Sequence, residues 1–152
     1  MPGSSTSGLS DPRAYPDRPV LAVSAIVCRA DRFLVVRRAR PPALGLFTLP
    51  GGGVETGETL HEAVAREVRE ETGLIVTPID LAGHREVIMR DAEGHVARHF
   101  VILAFAAQWR GGELSLNDEL AEGRWIDAAE LAGLPTTEGL APIIAAALRR
   151  LG

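Results

Sequence analysis

"GGGVETGETLHEAVAREVREETGL" (residues 51–74) packs six glutamates and two arginines into one short stretch behind three consecutive glycines. Thr59 and Glu62 have the spacing of a capping box and Gly73 is placed to end a helix, so a helix is predicted over residues 59–72. At about 100° per residue, Leu60, Ala63, Val64 and Val68 share one face, Glu67 and Glu71 fall within about 20° of Leu60 on that same face, and Glu70 borders it. Glu62, Arg66 and Arg69 lie on the opposite side. Like charges gathered on a face that turns toward the core repel and lose hydration, so they need a compensating cation. Carboxylates at i, i+3 and i+4 suit Mg²⁺ or Mn²⁺, hard ions that take oxygen ligands. The wheel alone leaves a second reading open, in which these glutamates project past the helix end and pair with Arg66, Arg69 or Arg85.

Upstream, "VLAVSAIVCR" and "RFLVVRRA" are β-branched apolar runs joined by "ADR", and they read as a strand pair. "RPPALGLFTLPGGG" reads as a Pro- and Gly-rich loop around a short apolar piece. Downstream, "LAGHREVIMR" and "RHFVILAFAAQW" read as strands joined across the turn "DAEGHV". A polar loop, "RGGELSLNDELAEG", leads to a short strand, "RWID", and "AAELAGL" and "APIIAAALRRL" read as closing helices. The order lacks the regular alternation of a doubly wound fold, so the fold class expected is α/β of the α+β kind, a mixed β-sheet covered by helices.

The chain has 152 residues, 46% hydrophobic and 24% charged, with a formal net charge of −4. One domain is expected over residues 19–152, behind a Ser-, Gly- and Pro-rich leader over residues 1–18 that reads as flexible or as an extended arm. The acidic balance argues against nucleic-acid polymers as partners. Cys28, the single cysteine, reads as a buried thiol in a reducing compartment. No apolar run is long enough to span a bilayer and the leader lacks an apolar core, so no membrane partner and a cytoplasmic location are expected.

A glycine-rich loop alone is more often just a turn; joined to a carboxylate-bearing helix it forms a unit that could hold a metal against a diphosphate. Gly52, Glu58, Arg66, Glu67, Val68, Glu70, Glu71, Gly73 and Leu74 fill every fixed position of the pattern Gly, five residues, Glu, seven residues, Arg-Glu, aliphatic, any, Glu-Glu, any, Gly, aliphatic. The stretch thus resembles the Nudix box, and the likeness extends from about Val20 to the C-terminus through "LPGG" and "RWIDAAEL". The resemblance implies a mixed sheet sandwiched between α-helices and hydrolysis of a diphosphate linked to another moiety, with Mg²⁺ or Mn²⁺ as cofactor. It makes Glu67, Glu70 and Glu71 the principal metal ligands, assisted by Glu58 and the backbone of Gly52. Arg66 would orient the glutamates by ion pairing. The base that takes the proton from the attacking water would be Glu67, Glu119 or Glu122, with Glu119 preferred and Glu70 completing the catalytic set; the plainer reading of Glu119 and Glu122 is ordinary surface charge.

Substrate choice lies outside the box. Met89 to Asp91 stand where larger ADP-ribose enzymes of the family carry a proline and diadenosine polyphosphate hydrolases a tyrosine, and the NADH diphosphatase signature is missing. "RRARPPALGLFTLPGGGVE", "RHFVILAF" and "GGEL" resemble short bacterial Nudix proteins described as ADP-ribose pyrophosphatases. ADP-ribose, cut to AMP and ribose 5-phosphate, is therefore the expected nucleotide substrate. The alternatives are a nucleoside triphosphate pyrophosphohydrolase that sanitises the nucleotide pool, or a sensing module that binds without cutting. Arg37, Arg38 and Arg98 are candidate phosphate contacts and Phe47 or His99 a candidate stacking partner, against solvated strand ends, a core contact and a surface histidine. His61, His84 and His95 show no ligand spacing. The resemblance also leaves room for a homodimer whose neighbour enters the pocket.

Overall fold

The computed structural model describes residues 11–151. Its centre is β1 (Val20–Arg29), buried from Ala22 to Cys28 on both faces. Both faces can be apolar because β1 is flanked on either side and covered from above and below. It runs parallel to β6 (Val96–Gly111), from Val20 opposite Phe100 to Cys28 opposite Gln108. At its far end it turns into β2 (Arg32–Arg38), antiparallel, with Arg29 opposite Arg32. β3 (Phe47–Thr48) and β7 (Leu120–Ile126) pair with β2, and β4 (Gly51–Gly53) pairs with β1. β5 (Ile75–Arg90) pairs antiparallel with β6 and forms the edge.

Side chains alternate across this sheet into two apolar layers. Val23, Ala25 and Val27 of β1, with Leu34, Val36, Phe105 and Ala107, pack under α1 (Leu60–Thr72) through Ala63, Val64 and Val68. Ile26 and Cys28, with Phe33, Val35, Ala104 and Ala106, pack under α3 (Leu140–Leu151) through Leu140, Ile143, Ile144 and Ala147. A shorter α2 (Ala128–Leu131) adds Leu131 to this second layer. The mixed sheet between helices is the architecture expected. Burial pushes the Cys28 thiol up to about 11, which keeps it protonated and unreactive.

The boundaries differ from the sequence reading in four places. The "LPGGG" loop contains β4, because glycine alone can approach β1 this closely: a Cβ on Gly51 would overlap the Val23 carbonyl. β5 starts at Ile75 rather than Leu81; register shifts at Ile75/Val76, Pro78/Asp80 and Leu81/Gly83 break the two-residue alternation that marks a strand. β7 starts at Leu120, inside the segment read as a loop, and α2 ends at Leu131 after a single turn. Residues 1–10 of the expected leader lie outside the described residues. Of the rest, Asp11 and Tyr15 fasten to the β5–β6 hairpin: Asp11 binds Arg98, the Tyr15 N–H donates to the Ala97 carbonyl at 2.9 Å and the Tyr15 hydroxyl to Asp91 at 3.0 Å.

The ends of α1 are built as the spacing predicts. Thr59 Oγ1 accepts the Glu62 N–H at 3.1 Å, Glu62 Oε1 accepts the Thr59 N–H at 2.8 Å, and Gly73 closes the helix at φ 76°. Thr59→Ala leaves a helix N–H without its partner and is expected to lower stability by about 1 kcal/mol, read as a shift of the urea midpoint at unchanged slope.

Candidate active site

α1 carries its carboxylates into a cleft of about 180 Å³ lined by Arg13, Gly51, Gly52, Glu67, Glu70, Glu71, Asn117 and Glu119. The helix, the glycine strand β4 and the loop before β7 each contribute to this lining, and the loop is tied to the end of the helix where the Asn117 N–H donates to the Glu71 carbonyl at 3.0 Å. Glu71 is 6% exposed and accepts the Gly51 N–H at 2.9 Å. Burial pushes its carboxyl up to about 8; the nearby charges of Glu67 and Glu119 push the same way, while the Gly51 N–H and Arg38 oppose them. Burial also raises Glu67, against the pull of Arg66. A Cβ on Gly52 would overlap the Glu67 carboxylate, so that carboxylate rests directly on the glycine backbone.

Arg66 knits the unit together from behind. Its Nε and Nη2 hold Glu58 at 2.5 and 2.9 Å, Nη1 reaches Glu67 at 2.8 Å and Glu70 at 3.1 Å, and Nη2 also donates to the Gly53 carbonyl at 2.9 Å. The wheel put Arg66 on the face away from the glutamates; its long side chain curls around the helix to meet them. Glu58 is held by this fork and by the Glu55 N–H, which draws its carboxyl down to about 2. Glu58 is therefore committed to Arg66 and is not among the residues lining the cleft.

The donor set fits a hard divalent cation. Glu67 and Glu71 are carboxylates in poorly hydrated positions with too few N–H donors to satisfy them, and Glu70 and Glu119 add further oxygens. A second group, Asp91, Glu93 and His95 at the β5–β6 turn, brings one donor atom from each residue within 4.8 Å of the others. There the Asp91 carboxylate already accepts the N–H groups of Glu93 and His95 at 3.0 and 2.9 Å and the Tyr15 hydroxyl, so it clasps the turn.

The remaining predicted residues separate. Glu119 stands at the cleft, held by its N–H on Asn117 Oδ1 at 3.0 Å. Glu122 lies on β7, bound to Arg124 at 2.5 Å and Arg37 at 3.2 Å, which draws its carboxyl down. Arg37 is thereby engaged with Glu122, whereas Arg38 donates to the Pro42 carbonyl at 2.6 Å yet lies near enough for its charge to be felt at Glu71. Arg98 binds Asp11 of the N-terminal segment. Phe47 is 3% exposed and packs in the second core layer, the core contact weighed against base stacking. Half-buried His99 sits opposite Ile88 on the hairpin, and His61 packs edge-on against Phe105. Sequence reasoning missed Arg13 and Asn117. "SDPR" and "LND" are turn signals; the first places Arg13 at the cleft from the segment read as a leader, the second Asn117 from the segment read as a polar loop.

The chain is 40% identical to an ADP-ribose pyrophosphatase of Methanocaldococcus jannaschii over 116 residues, covering 76% of this chain and 66% of that protein. It is 33% identical to an NAD-capped RNA hydrolase of Stutzerimonas stutzeri over 131 residues, 86% of this chain and 42% of that one. The chain thus spans about two thirds or less of the length of these curated relatives. Among solved structures, the MutT protein of Methanosarcina mazei Go1 superposes with a TM-score of 0.71 at 27% identity, covering 88% of this chain and 96% of that one. No helix among the described residues is long and apolar enough to cross a membrane. The profile of the NUDIX domain matches residues 18–147, which takes in the sheet, the glycine strand and the carboxylate helix alike, and the chain belongs to that family.

Proposed function

We propose that the protein hydrolyses the diphosphate linkage of a nucleoside diphosphate joined to another moiety, with ADP-ribose as substrate and AMP and ribose 5-phosphate as products. The observation that carries this reading is the gathering of buried Glu71 and half-buried Glu67 with Glu70 and Glu119 at one cleft. The name of the 40% identical relative supports the choice of ADP-ribose. Mg²⁺ or Mn²⁺ held by Glu67, Glu70, Glu71 and the Gly52 backbone would neutralise the diphosphate and acidify a bound water.

The chain's own groups do the rest. Glu119 accepts the proton of the attacking water at its carboxylate as the water oxygen bonds to phosphorus and the bridging P–O bond breaks. It lines the same cleft as Glu67, Glu70 and Glu71, from a loop outside the carboxylate helix. Arg66 positions Glu67 and Glu70 and keeps Glu58 from the cleft. Arg38 lends positive charge to the side of the cleft nearest Glu71.

The test is hydrolysis of ADP-ribose, other nucleoside diphosphate sugars, NADH and common and oxidised nucleoside triphosphates, each with Mg²⁺ or Mn²⁺. ADP-ribose is expected to give AMP and ribose 5-phosphate, and Glu119→Gln to lower kcat by about 100-fold with KM little changed. Preferred release of pyrophosphate from a triphosphate would replace this reading with the nucleotide-pool one. Metal-dependent nucleotide binding with no turnover anywhere in the panel would favour the sensing module instead.

A further inference from the structure

The cleft has one cationic side chain among its lining residues, and it comes from the segment ahead of β1. Arg13 lies over the glycine strand, where a Cβ on Gly53 would come 2.7 Å from its Nη2. Its charge offsets part of the rise that burial imposes on the Glu67 carboxyl. None of the ion pairs among the described residues includes it, although Glu67, Glu70, Glu71 and Glu119 line the same space.

The segment that carries Arg13 is fastened at several points. Asp11 binds the Arg98 guanidinium and also accepts the Arg13 N–H at 2.8 Å. The Ala14 N–H closes the turn on the Asp11 carbonyl at 2.9 Å. Tyr15 then ties the segment to Ala97 through its backbone and to Asp91 through its hydroxyl. These contacts reach the base of the hairpin's turn, some eighty residues away in sequence, and they orient one guanidinium over the glycine strand.

We propose that residues 11–15 form an arm of the substrate site, in which Arg13 grips a diphosphate of the ligand and Arg98 serves as the hook that holds the arm in place. A planar guanidinium presents paired N–H donors that match two phosphate oxygens, and no carboxylate among the described residues pairs with those of Arg13. Arg98, expected from the sequence to meet phosphate itself, acts here through Asp11. The proposal rests on the diphosphate reading of the cleft and assigns its grip on the anion to a segment outside the box.

Methylenebisphosphonate, which carries neither nucleoside nor sugar, is the probe. Its binding to the full chain is measured by calorimetry at a fixed excess of Mg²⁺, and Mn²⁺ binding is measured alone by electron paramagnetic resonance. Arg13→Ala is expected to weaken bisphosphonate binding about tenfold or more while Mn²⁺ affinity stays within about twofold, with Arg13→Lys recovering part of the loss. Asp11→Ala, which leaves Arg13 intact but unhooks the arm, is expected to give a smaller loss. Equal bisphosphonate affinity in Arg13→Ala and the parent protein overturns the inference, as does failure of the parent to bind the probe. Tighter binding of both ligands by Arg13→Ala overturns it too, and would make the arm a plug. A parent protein that binds the bisphosphonate yet leaves ADP-ribose uncut sinks the substrate assignment while the arm's role stands.

Discussion

Glu71→Gln is expected to make the metal-free protein more stable at pH 8 and to abolish the proposed hydrolysis. Glu71 has a folded-state pKa of about 8 against an ordinary value of 4.5, because burial disfavours its charge. The folded protein therefore holds this proton over a range in which the unfolded chain has released it. The resulting stabilisation is complete below about pH 4.5 and fades as pH rises through about 8, where the loss is on the order of 4 kcal/mol. Thermal midpoints of the metal-free wild type should fall between pH 5 and 8, and the Gln variant should lack that slope. Mn²⁺ at pH 8 should return the wild type toward its acid-side midpoint and do little for the variant, which has lost an oxygen ligand. A wild-type midpoint that is flat over this window would sink the prediction. Glu71 is, on this account, a group that the fold tolerates for its chemistry at the expense of its own stability.

The second large effect is at Arg66. Arg66→Ala strands Glu58, Glu67 and Glu70 together and frees the Gly53 carbonyl, all of which one guanidinium now satisfies. Breaking a part-buried charge network by removing its cation is expected to cost about 3 kcal/mol. Mn²⁺ affinity should fall by about 10- to 100-fold, because the ligands lose the partner that orients them. Arg66→Lys should recover little, since one ammonium cannot span from Glu58 to Glu67 as the fork does. Salt should narrow the stability gap, because screening relieves repulsion among the exposed members of the cluster. Denaturation at low and high ionic strength, with Mn²⁺ titration beside it, checks both parts. An Ala variant with unchanged metal affinity would show that Arg66 merely neutralises charge.

The region that was legible in the sequence is the one where local rules and long-range packing agree. Thr59, Glu62 and Gly73 mark the ends of α1, and its apolar stripe faces the sheet as the wheel requires. Glu67 and Glu71 fall on the buried side for the same reason. β4 was hidden because a run of glycines has no side-chain alternation to read, and β5 because Pro78 and Gly83 sit at its register shifts. Arg66 was misplaced by treating its side chain as a direction on a wheel instead of a reach. Phe47 and Arg98 show the limit for ligand contacts: each is of a residue type that binds nucleotides, but one is consumed by the core and the other by Asp11. Arg13 was lost in a segment whose composition suggests no structure, since what fixes it is a set of partners on the hairpin far away in sequence.

The interruptions of β5 bear on how the molecule behaves in crowded solution. An outer strand with apolar residues such as Ile79, Leu81, Ile88 and Met89 exposed is a template on which another chain could extend the sheet. Its register shifts leave no straight run longer than Gly83 to Met89, and that run carries His84, Arg85 and Glu86. A foreign strand would meet kinks on one side and charge on the other, so the long edge is guarded against fibrillar growth by the same irregularities that concealed it.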